Sequence, residues 1–248
     1  MDAFSDPRLL LLFVCAIPVG VLAILLGATQ FLSLPIFQLL LPELTLGAIV
    51  ANMKVGSVLR NLIALKPLRH HIRPRELRSL LVPLCVGGAI GALGVANVSQ
   101  AFLVPALLVA IAVTEGAPYL GKRLTTRQIL VLSFLAGIFG GILGAGISVI
   151  ILALLRIRTP DDAKILEVRA QGVFLELATT AASIVAFALQ NQLILAVWVT
   201  WAAGAMIGGY IGGRLLEHTG KFSPRTQKMF LRAAYLVALA VATARLLG

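Results

Sequence analysis

The sequence predicts an all-α, polytopic membrane protein made of two inverted repeats, and three observations lead to this fold class. Hydrophobic residues make up 59% of the chain and charged residues only 12%, whereas soluble domains are about one quarter charged. Long apolar stretches fill nearly all 248 residues, so lipid rather than water surrounds the fold. The third observation is a glycine spacing that occurs in both halves of the chain.

This glycine spacing recurs with a shift of 117 positions. Four glycines of the first half have a counterpart in the second half: Gly20 and Gly137, Gly27 and Gly144, Gly87 and Gly204, Gly91 and Gly208. Internal repeats in a membrane protein are typical of transporters, whose substrate sites lie between the repeats. We therefore expect one integral membrane domain over 1–248, with a first repeat over 1–121 and a second, inverted repeat over 122–248.

The apolar stretches predict ten helical segments. They lie at 9–27, 30–41, 44–65, 77–96, 101–120, 128–145, 147–157, 164–189, 193–216 and 228–247. The segments 30–41 and 147–157 are too short to cross the hydrocarbon layer, which takes about 20 residues. Each follows a break that contains glycine, so each is predicted to be an arm of a re-entrant hairpin or half of a broken helix. Each half then has one such pair and three transmembrane helices.

The positions of the basic residues test this arrangement. If every long segment crosses the membrane, the loop Lys and Arg residues divide evenly, with eight on one face and seven on the other. If 128–145 and 147–157 form a hairpin, all fifteen share one face, which the positive-inside rule makes cytoplasmic. A matching hairpin in the first half leaves Arg8 and Arg245 on the other face. The two halves are then inverted, and both termini of this multi-pass protein of the inner (plasma) membrane are extracytoplasmic.

Charge and cysteine usage exclude several partners. The net charge of +11 belongs largely to these loops, which face anionic lipid headgroups on the cytoplasmic side. No basic stripe with interleaved aromatic residues accompanies this charge, so nucleic acid is not an expected partner. Cys15 and Cys85 lack metal-ligand spacing, and His70 and His71 are adjacent, so neither a metal nor a cofactor is predicted. The oligomeric state is open, and a homodimer is one option.

Two half-helix starts form the predicted substrate site. The starts near Gln30 and Ser148 direct free N–H groups, and the positive ends of helix dipoles, at the middle of the membrane from opposite sides. Thr29 and Gln30 form the polar tip of the first break, and Gly144, Gly146 and Ser148 form the second. We expect a small anion to bind between these tips. The alternative is that the breaks only permit close helix packing.

Polar residues inside the long segments complete the candidate site. Lys54 lies near the centre of 44–65, where an ionisable residue costs about 2.5 kcal/mol or more and is a functional candidate. Lys54 either contacts the anion or forms an ion pair with Glu176, which is also the candidate for ion or proton coupling. Asn52 and Gln171 align at a shift of 119. Their amides can donate to oxyanion oxygens or to neighbouring helices.

These motifs also indicate a family. Residues 137–148 form a glycine-rich break, residues 19–27 lead into a second one, and two helices carry glycines four apart, at 87–91 and 204–214. In this pattern the chain resembles the TauE/SafE family of sulfite exporters and related anion transporters over essentially its whole length. The resemblance implies export of sulfite, sulfonates or similar small sulfur oxyanions. Ala28, Thr29 and Gln30 depart from the usual run of glycines, so Thr29 and Gln30 are expected to replace backbone donors there.

Three function classes compete to explain these features. A secondary transporter that exports a small anion by alternating access agrees with the repeats, the opposed helix starts and Lys54. A cation or cation/proton antiporter would need mid-membrane carboxylates, and only Glu176 is a candidate. An intramembrane hydrolase would use Ser148 as nucleophile, but that hydroxyl needs a base, and the three histidines all lie in predicted loops. An enzyme is therefore not predicted. Because no ATP-binding motif is present, transport is expected to be driven by a gradient or the membrane potential, or to be facilitated.

Overall fold

The computed structural model describes residues 6–26, 30–95, 124–143, 147–158 and 165–219, together with the single positions 105, 108, 109, 112, 229, 232, 233, 236 and 240. The continuous ranges hold eight α-helices: α1 (Pro7–Leu26), α2 (Gln30–Leu40), α3 (Leu46–Leu68), α4 (Pro74–Val95), α5 (Thr126–Leu143), α6 (Ile147–Arg158), α7 (Ile165–Leu189) and α8 (Leu195–Thr219). A 3₁₀ turn, Arg69–His71, follows α3. These described ranges contain no strand, which confirms the all-α fold class. The predicted helices 101–120 and 228–247 lie largely outside the described residues.

Six of the described helices are long and apolar enough to cross a membrane, namely α1, α3, α4, α5, α7 and α8. This result confirms a multi-pass membrane protein. The two remaining helices, α2 and α6, have 11 and 12 residues, which at 1.5 Å per residue gives lengths of about 16–18 Å. Each therefore covers only about half of a hydrocarbon layer about 30 Å thick.

Local signals place the helix starts. The carboxylate of Asp6 accepts a hydrogen bond of 2.9 Å from the backbone N–H of Arg8, and Pro7 fits the first helical position because it needs no N–H acceptor. Thr125 and Gln128 form a capping box, in which each side chain accepts a hydrogen bond from the backbone N–H of the other. This capping box starts α5 two residues before the predicted start.

The end of α3 differs more from the prediction. The helix continues through Pro67 to Leu68, three residues beyond the predicted end at 65. This extension is stabilised because Ala64, Leu65 and Leu68 pack in a buried apolar cluster with residues of α1, α7 and α8. As a result, Arg60 lies well inside the helix rather than close to its end.

Neighbouring residues establish the relative directions of the helices. In four helix pairs, the residue numbers of successive contacts increase along both helices. The contacts are Ile17–Gly208 and Val21–Gly212 for α1 and α8, Gly56–Trp201 and Ala64–Gly213 for α3 and α8, Leu84–Gly137 and Gly88–Gly141 for α4 and α5, and Gly88–Thr179 and Leu93–Gln190 for α4 and α7. These pairs are parallel. In contrast, α3 and α7 are antiparallel, because Arg60 contacts Glu176 whereas Leu68 packs near the beginning of α7.

The helices therefore form two bundles of opposite direction. Bundle A consists of α1, α3 and α8, and bundle B consists of α4, α5 and α7. The short helix α2 packs on α1 and α3, and α6 packs on α5 and α7. The main contact between the bundles is the one between α3 and α7, which we call the bundle interface. Each bundle combines helices from both halves of the sequence, so the packed units are not the halves themselves.

Glycines permit the close parallel crossings within each bundle. Gly87 and Gly91 of α4 lie against backbone carbonyl groups of α5, where a Cβ atom would overlap with the carbonyl oxygen. Gly204 and Gly208 of α8 lie against carbonyl groups of α1 in the same way. These contacts confirm that glycines four residues apart line one helix face and allow two helices to approach closely.

The two ends of the molecule differ in charge. The end of α3, the beginning of α4, the beginning of α7 and the end of α8 meet at what we call the basic end. There Arg73 forms an ion pair of 3.0 Å with Glu167. A cavity of about 360 Å³ at this end is lined by Lys66, Pro67, Arg69, His70, Tyr210, Arg214 and Glu217. At the opposite end, Arg8 forms an ion pair of 3.1 Å with Glu43.

Candidate functional site

The half-helix α6 begins at mid-depth in bundle B. Ser148 lies in its first turn, and its Oγ atom donates a hydrogen bond of 2.7 Å to Oε2 of Glu176. Glu176 is the twelfth of the 25 residues of α7, so it lies near the midpoint of a spanning helix. The first N–H groups of any helix have no acceptor within it, and the positive end of its dipole lies there. This start is therefore suited to an anion.

A buried ion pair connects the two bundles at the same depth. Nη2 of Arg60, on α3, lies 2.8 Å from Oε1 of Glu176, and both side chains are 5% exposed. Glu176 thus accepts a hydrogen bond from Arg60 on one oxygen and from Ser148 on the other. Removing one partner of such a pair leaves a buried charge and costs about 3–5 kcal/mol. The pair therefore joins the two bundles at the centre of the bundle interface, and neither partner can be removed alone without this cost.

Asn61 brings a hydrogen-bond donor to this ion pair. Its Oδ1 atom accepts a hydrogen bond of 3.0 Å from Nε of Arg60. Because a guanidinium group has no acceptor, this contact also fixes the orientation of the amide. The Nδ2 atom of Asn61 is buried and has no acceptor among the residues that the structure describes. A buried polar atom without a partner costs about 1–3 kcal/mol, so the site offers a donor that an oxyanion would satisfy.

Lys54 is buried in the bundle interface, with 1% of its surface exposed. Its Nζ atom donates a hydrogen bond of 2.9 Å to the carbonyl oxygen of Gly140, which is one of the last four residues of α5. These last carbonyl groups have no donor within the helix, and a cation there also stabilises the negative end of the dipole. The alternative of an ion pair between Lys54 and Glu176 is not observed, because Glu176 pairs with Arg60.

The predicted amides occupy different places. Asn52 donates to the carbonyl oxygens of Ala48 at 2.6 Å and Gln192 at 3.1 Å, and it accepts from the backbone N–H of Ile194 at 2.9 Å. These contacts anchor the turn between α7 and α8, far from the basic end, and they favour the structural alternative for Asn52. Gln171 is buried in α7, between Glu176 and the basic end.

The remaining predicted site residues are only partly described. Gln30 is the first residue of α2. Thr29, Gly144 and Gly146 lie outside the described residues, so their role as an anion-binding tip stays a prediction. The structure brings together Ser148 and Glu176, and it places Lys54 at the end of the helix that precedes the second break.

Arg60 and Asn61 are not among the predicted site residues, although the sequence carries a signal for both. The shift of 119 that pairs Asn52 with Gln171 also aligns three other polar positions of α3 with polar positions of α7. They are Ser57 with Glu176, Arg60 with Thr179, and Asn61 with Thr180, and all six residues are buried. Polar residues at matching positions of two apolar helices indicate a shared polar centre.

Comparison with known proteins identifies the family of the chain. A sequence model of one protein family, described as Sulfite exporter TauE/SafE, matches residues 11–246. No curated protein and no solved structure matches the chain significantly. The family match covers nearly the whole chain and includes both short helices and both bundles. The resemblance seen in the glycine motifs is thereby confirmed, and the chain belongs to the TauE/SafE sulfite exporter family.

Proposed function

We propose that this protein is a secondary transporter that exports a small sulfur oxyanion, sulfite or a short sulfonate, through a site at the centre of the bundle interface. Its family implies a membrane transporter of sulfur anions and not an enzyme. The observation that carries the proposal is the buried cluster at the start of α6, where Arg60, Asn61, Ser148 and Glu176 meet.

The charges of this centre favour an anion. Among the residues that the structure describes at this centre, two buried cations, Lys54 and Arg60, face a single carboxylate, Glu176. The N-terminus of a helix adds the equivalent of roughly half a positive charge. A guanidinium group matches the planar spread of oxygens in an oxyanion, and the free N–H of Asn61 needs an acceptor. A transported cation would meet the two positive side chains instead, which disfavours the alternative cation or cation/proton antiporter.

The helix directions support the inverted repeat that this mechanism requires. Three pairs of helices correspond in the two repeats, namely α1 with α5, α3 with α7, and α4 with α8. The members of each pair belong to different bundles and therefore run in opposite directions. The short helices α2 and α6 each return beside the helix that precedes them. In our proposal, Thr29, Gln30, Gly144, Gly146 and Ser148 form two opposed tips around the anion.

Alternating access is proposed to result from tilting of bundle A against bundle B. The polar contacts of Arg60 with Glu176 and of Lys54 with Gly140 cross between these bundles. Both lie near the proposed site, so anion binding there can alter the contacts that hold the bundles together. By the positive-inside rule, the basic end faces the cytoplasm, and both termini lie on the opposite side of the inner membrane.

A flux panel in proteoliposomes tests this proposal. Vesicles that contain the purified protein are loaded in turn with sulfite, thiosulfate, sulfate, a short sulfonate, chloride or Na⁺. We expect saturable flux of at least one sulfur oxyanion above that of protein-free vesicles. Flux of cations alone would favour the antiporter, and the absence of any oxyanion flux would contradict the proposal.

A further inference from the structure

Glu176 is hydrogen-bonded to the guanidinium group of Arg60, which is the group that the proposed anion would also bind. Its carboxylate accepts the hydrogen bond of the Arg60 guanidinium at 2.8 Å, and a carboxylate and a sulfur oxyanion present similar acceptor oxygens to that group. A second donor next to it, Nδ2 of Asn61, has no acceptor among the described residues. An anion that takes the Nη2 donor now bound to Glu176, together with the Asn61 donor, displaces Glu176 from Arg60.

A displaced Glu176 cannot remain charged without cost. Its described hydrogen-bonding partners are Arg60 and Ser148, and after displacement only the Ser148 hydroxyl group would remain. A buried, unpaired carboxylate is so unfavourable that it takes up a proton. Ser148 suits both forms of Glu176, because a hydroxyl group can donate to a carboxylate and accept from a carboxylic acid.

We propose, building on the transport function above, that Glu176 and the substrate anion compete for Arg60, so that each bound anion brings one proton onto Glu176. The proton comes from water on the side where the anion enters and forms an O–H bond on Glu176. On the other side the anion leaves, Glu176 returns the proton to water, and the carboxylate pairs with Arg60 again. The protein is thus a one-to-one anion–proton symporter, and a monovalent anion moves without net charge.

The side chains around Glu176 include two basic groups and a thiol. From α3 it faces Lys54 and Arg60, and from α4 the thiol of Cys85 reaches Thr179, one turn further along α7. The elements packed on α7 carry further charged or titratable residues toward the basic end. They are Lys66 on α3, Arg69, His70 and His71 of the 3₁₀ turn, Arg75, Glu76 and Arg78 on α4, Arg127 on α5, Arg156 and Arg158 on α6, and Glu167 and Arg169 on α7 itself. In the described part of the chain, Glu176 is the carboxylate of the bundle interface.

The pH dependence of anion binding tests this inference. Methanesulfonate and thiosulfate are suitable probes because their charge stays constant between about pH 5.5 and 8, whereas sulfite itself titrates in this range. While Glu176 is ionised, we expect the affinity of the wild-type protein to fall about tenfold for each pH unit. We also expect uptake of about one proton per bound anion in weakly buffered solution.

Two variants assign the proton to its site. Glu176→Gln resembles the protonated side chain, so its anion affinity should be independent of pH and no proton should be taken up. Glu167→Gln, which removes the carboxylate paired with Arg73 at the basic end, should retain the pH dependence of the wild type. If Glu176→Gln does not fold, proton uptake is compared between the wild type and Lys54→Met. Uptake that persists in Lys54→Met assigns the proton to Glu176, and uptake that is lost there would overturn the assignment.

The outcomes separate this inference from the function on which it rests. Anion binding and flux that are independent of pH in the wild type, without proton uptake, would overturn the symport while the anion transporter stands. A pH dependence that persists unchanged in Glu176→Gln would also overturn it. Absence of binding and flux for every sulfur oxyanion at every pH would instead remove the proposed transport function, and the symport with it.

Discussion

Lys54 of α3 holds the end of α5: its Nζ atom lies 2.9 Å from the carbonyl oxygen of Gly140, 86 positions further along the chain. This hydrogen bond joins bundle A to bundle B directly before the second glycine break. A buried cation at the negative end of a helix stabilises that end by up to about 2 kcal/mol. Lys54 therefore supports the break as well as contributing positive charge to the proposed site.

Replacing Lys54 with Met should impair anion transport while the protein still folds and inserts. Methionine keeps the apolar length of the side chain but removes its charge, so the anion loses one of two nearby cations. The lost charge–dipole contact should lower stability by about 1–2 kcal/mol. Flux in proteoliposomes and elution from a sizing column in detergent measure both effects. Lys54→Arg, which keeps the charge, is the control, and wild-type flux in Lys54→Met would remove Lys54 from the site.

Arg60 and Glu176 should behave as one unit in stability measurements. Arg60→Met leaves the Glu176 carboxylate buried and unpaired, so we expect a loss of about 3–5 kcal/mol. The double variant Arg60→Met with Glu176→Gln removes both charges and should recover most of this loss. Thermal unfolding in detergent gives the coupling free energy of the pair.

Transport should not recover together with stability in this double variant. Without the guanidinium group the anion has lost its main donor, so flux should remain at the level of protein-free vesicles. A double variant that is stable and transports at the wild-type rate would show that Arg60 serves only the fold.

Asn61→Leu should weaken anion binding more than it changes stability. The substitution removes one hydrogen bond with Arg60, but it also removes a buried donor that lacks an acceptor, and these two effects oppose each other. We expect a change in stability within about 1 kcal/mol and an anion affinity at least about tenfold lower, equivalent to about 1.4 kcal/mol. Equilibrium binding and thermal unfolding are measured on the same preparation. Unchanged affinity would mean that Nδ2 of Asn61 does not contact the substrate.

Gly87 should not tolerate a methyl group, whereas Gly94 should. A Cβ atom at Gly87 would overlap with the carbonyl oxygen of Phe134, while a Cβ atom at Gly94, on the same helix, has nothing within 4 Å. Gly87→Ala should therefore cost about 1–3 kcal/mol by forcing α4 and α5 apart. Gly94→Ala is the matched control and should be neutral or slightly stabilising. Equal melting temperatures for the two variants would contradict the close parallel packing.

Labelling with a membrane-impermeant thiol reagent should show that the beginning of α4 and the end of α8 lie on the same side of the membrane. In a variant without Cys15 and Cys85, single cysteines replace Arg75, Glu217 or Glu43, all of them exposed. Cysteines at 75 and 217 should react only from the cytoplasmic side, and a cysteine at 43 only from the opposite side. Reaction of 75 and 217 from different sides would contradict the inverted arrangement.

Local and periodic features of the sequence predicted most of the fold. The length of an apolar run decides whether a helix crosses the membrane, so the six spanning helices and the short helices α2 and α6 followed from the sequence. The glycines four residues apart correctly predicted where two helices pack closely against each other. The end of α3 was wrong by three residues because the packing of Leu68 against distant helices outweighs the local effect of Pro67.

The site was harder to predict because its contacts join distant positions. Lys54 was predicted as a site residue because an ionisable side chain inside the membrane is energetically costly. Its hydrogen-bonding partner could not be predicted, because it depends on which helices meet at the bundle interface. Arg60 and Glu176 are separated by 116 positions, and nothing local to Arg60 distinguishes it from a cation near a helix end. Gln171, Thr29, Gly144 and Gly146 stay predictions.

The composition of the bundles has a consequence for the two repeats as separate molecules. In the first repeat, α1 packs on α8 and α4 packs on α5 and α7, so in the described part of the chain its glycine faces are covered by helices of the other repeat. A polypeptide with one repeat lacks these partner helices, and we expect it to be unstable unless two copies associate. If the gene is divided between the codons for residues 95 and 124, the two fragments should fold when they are produced together and should not fold when they are produced separately.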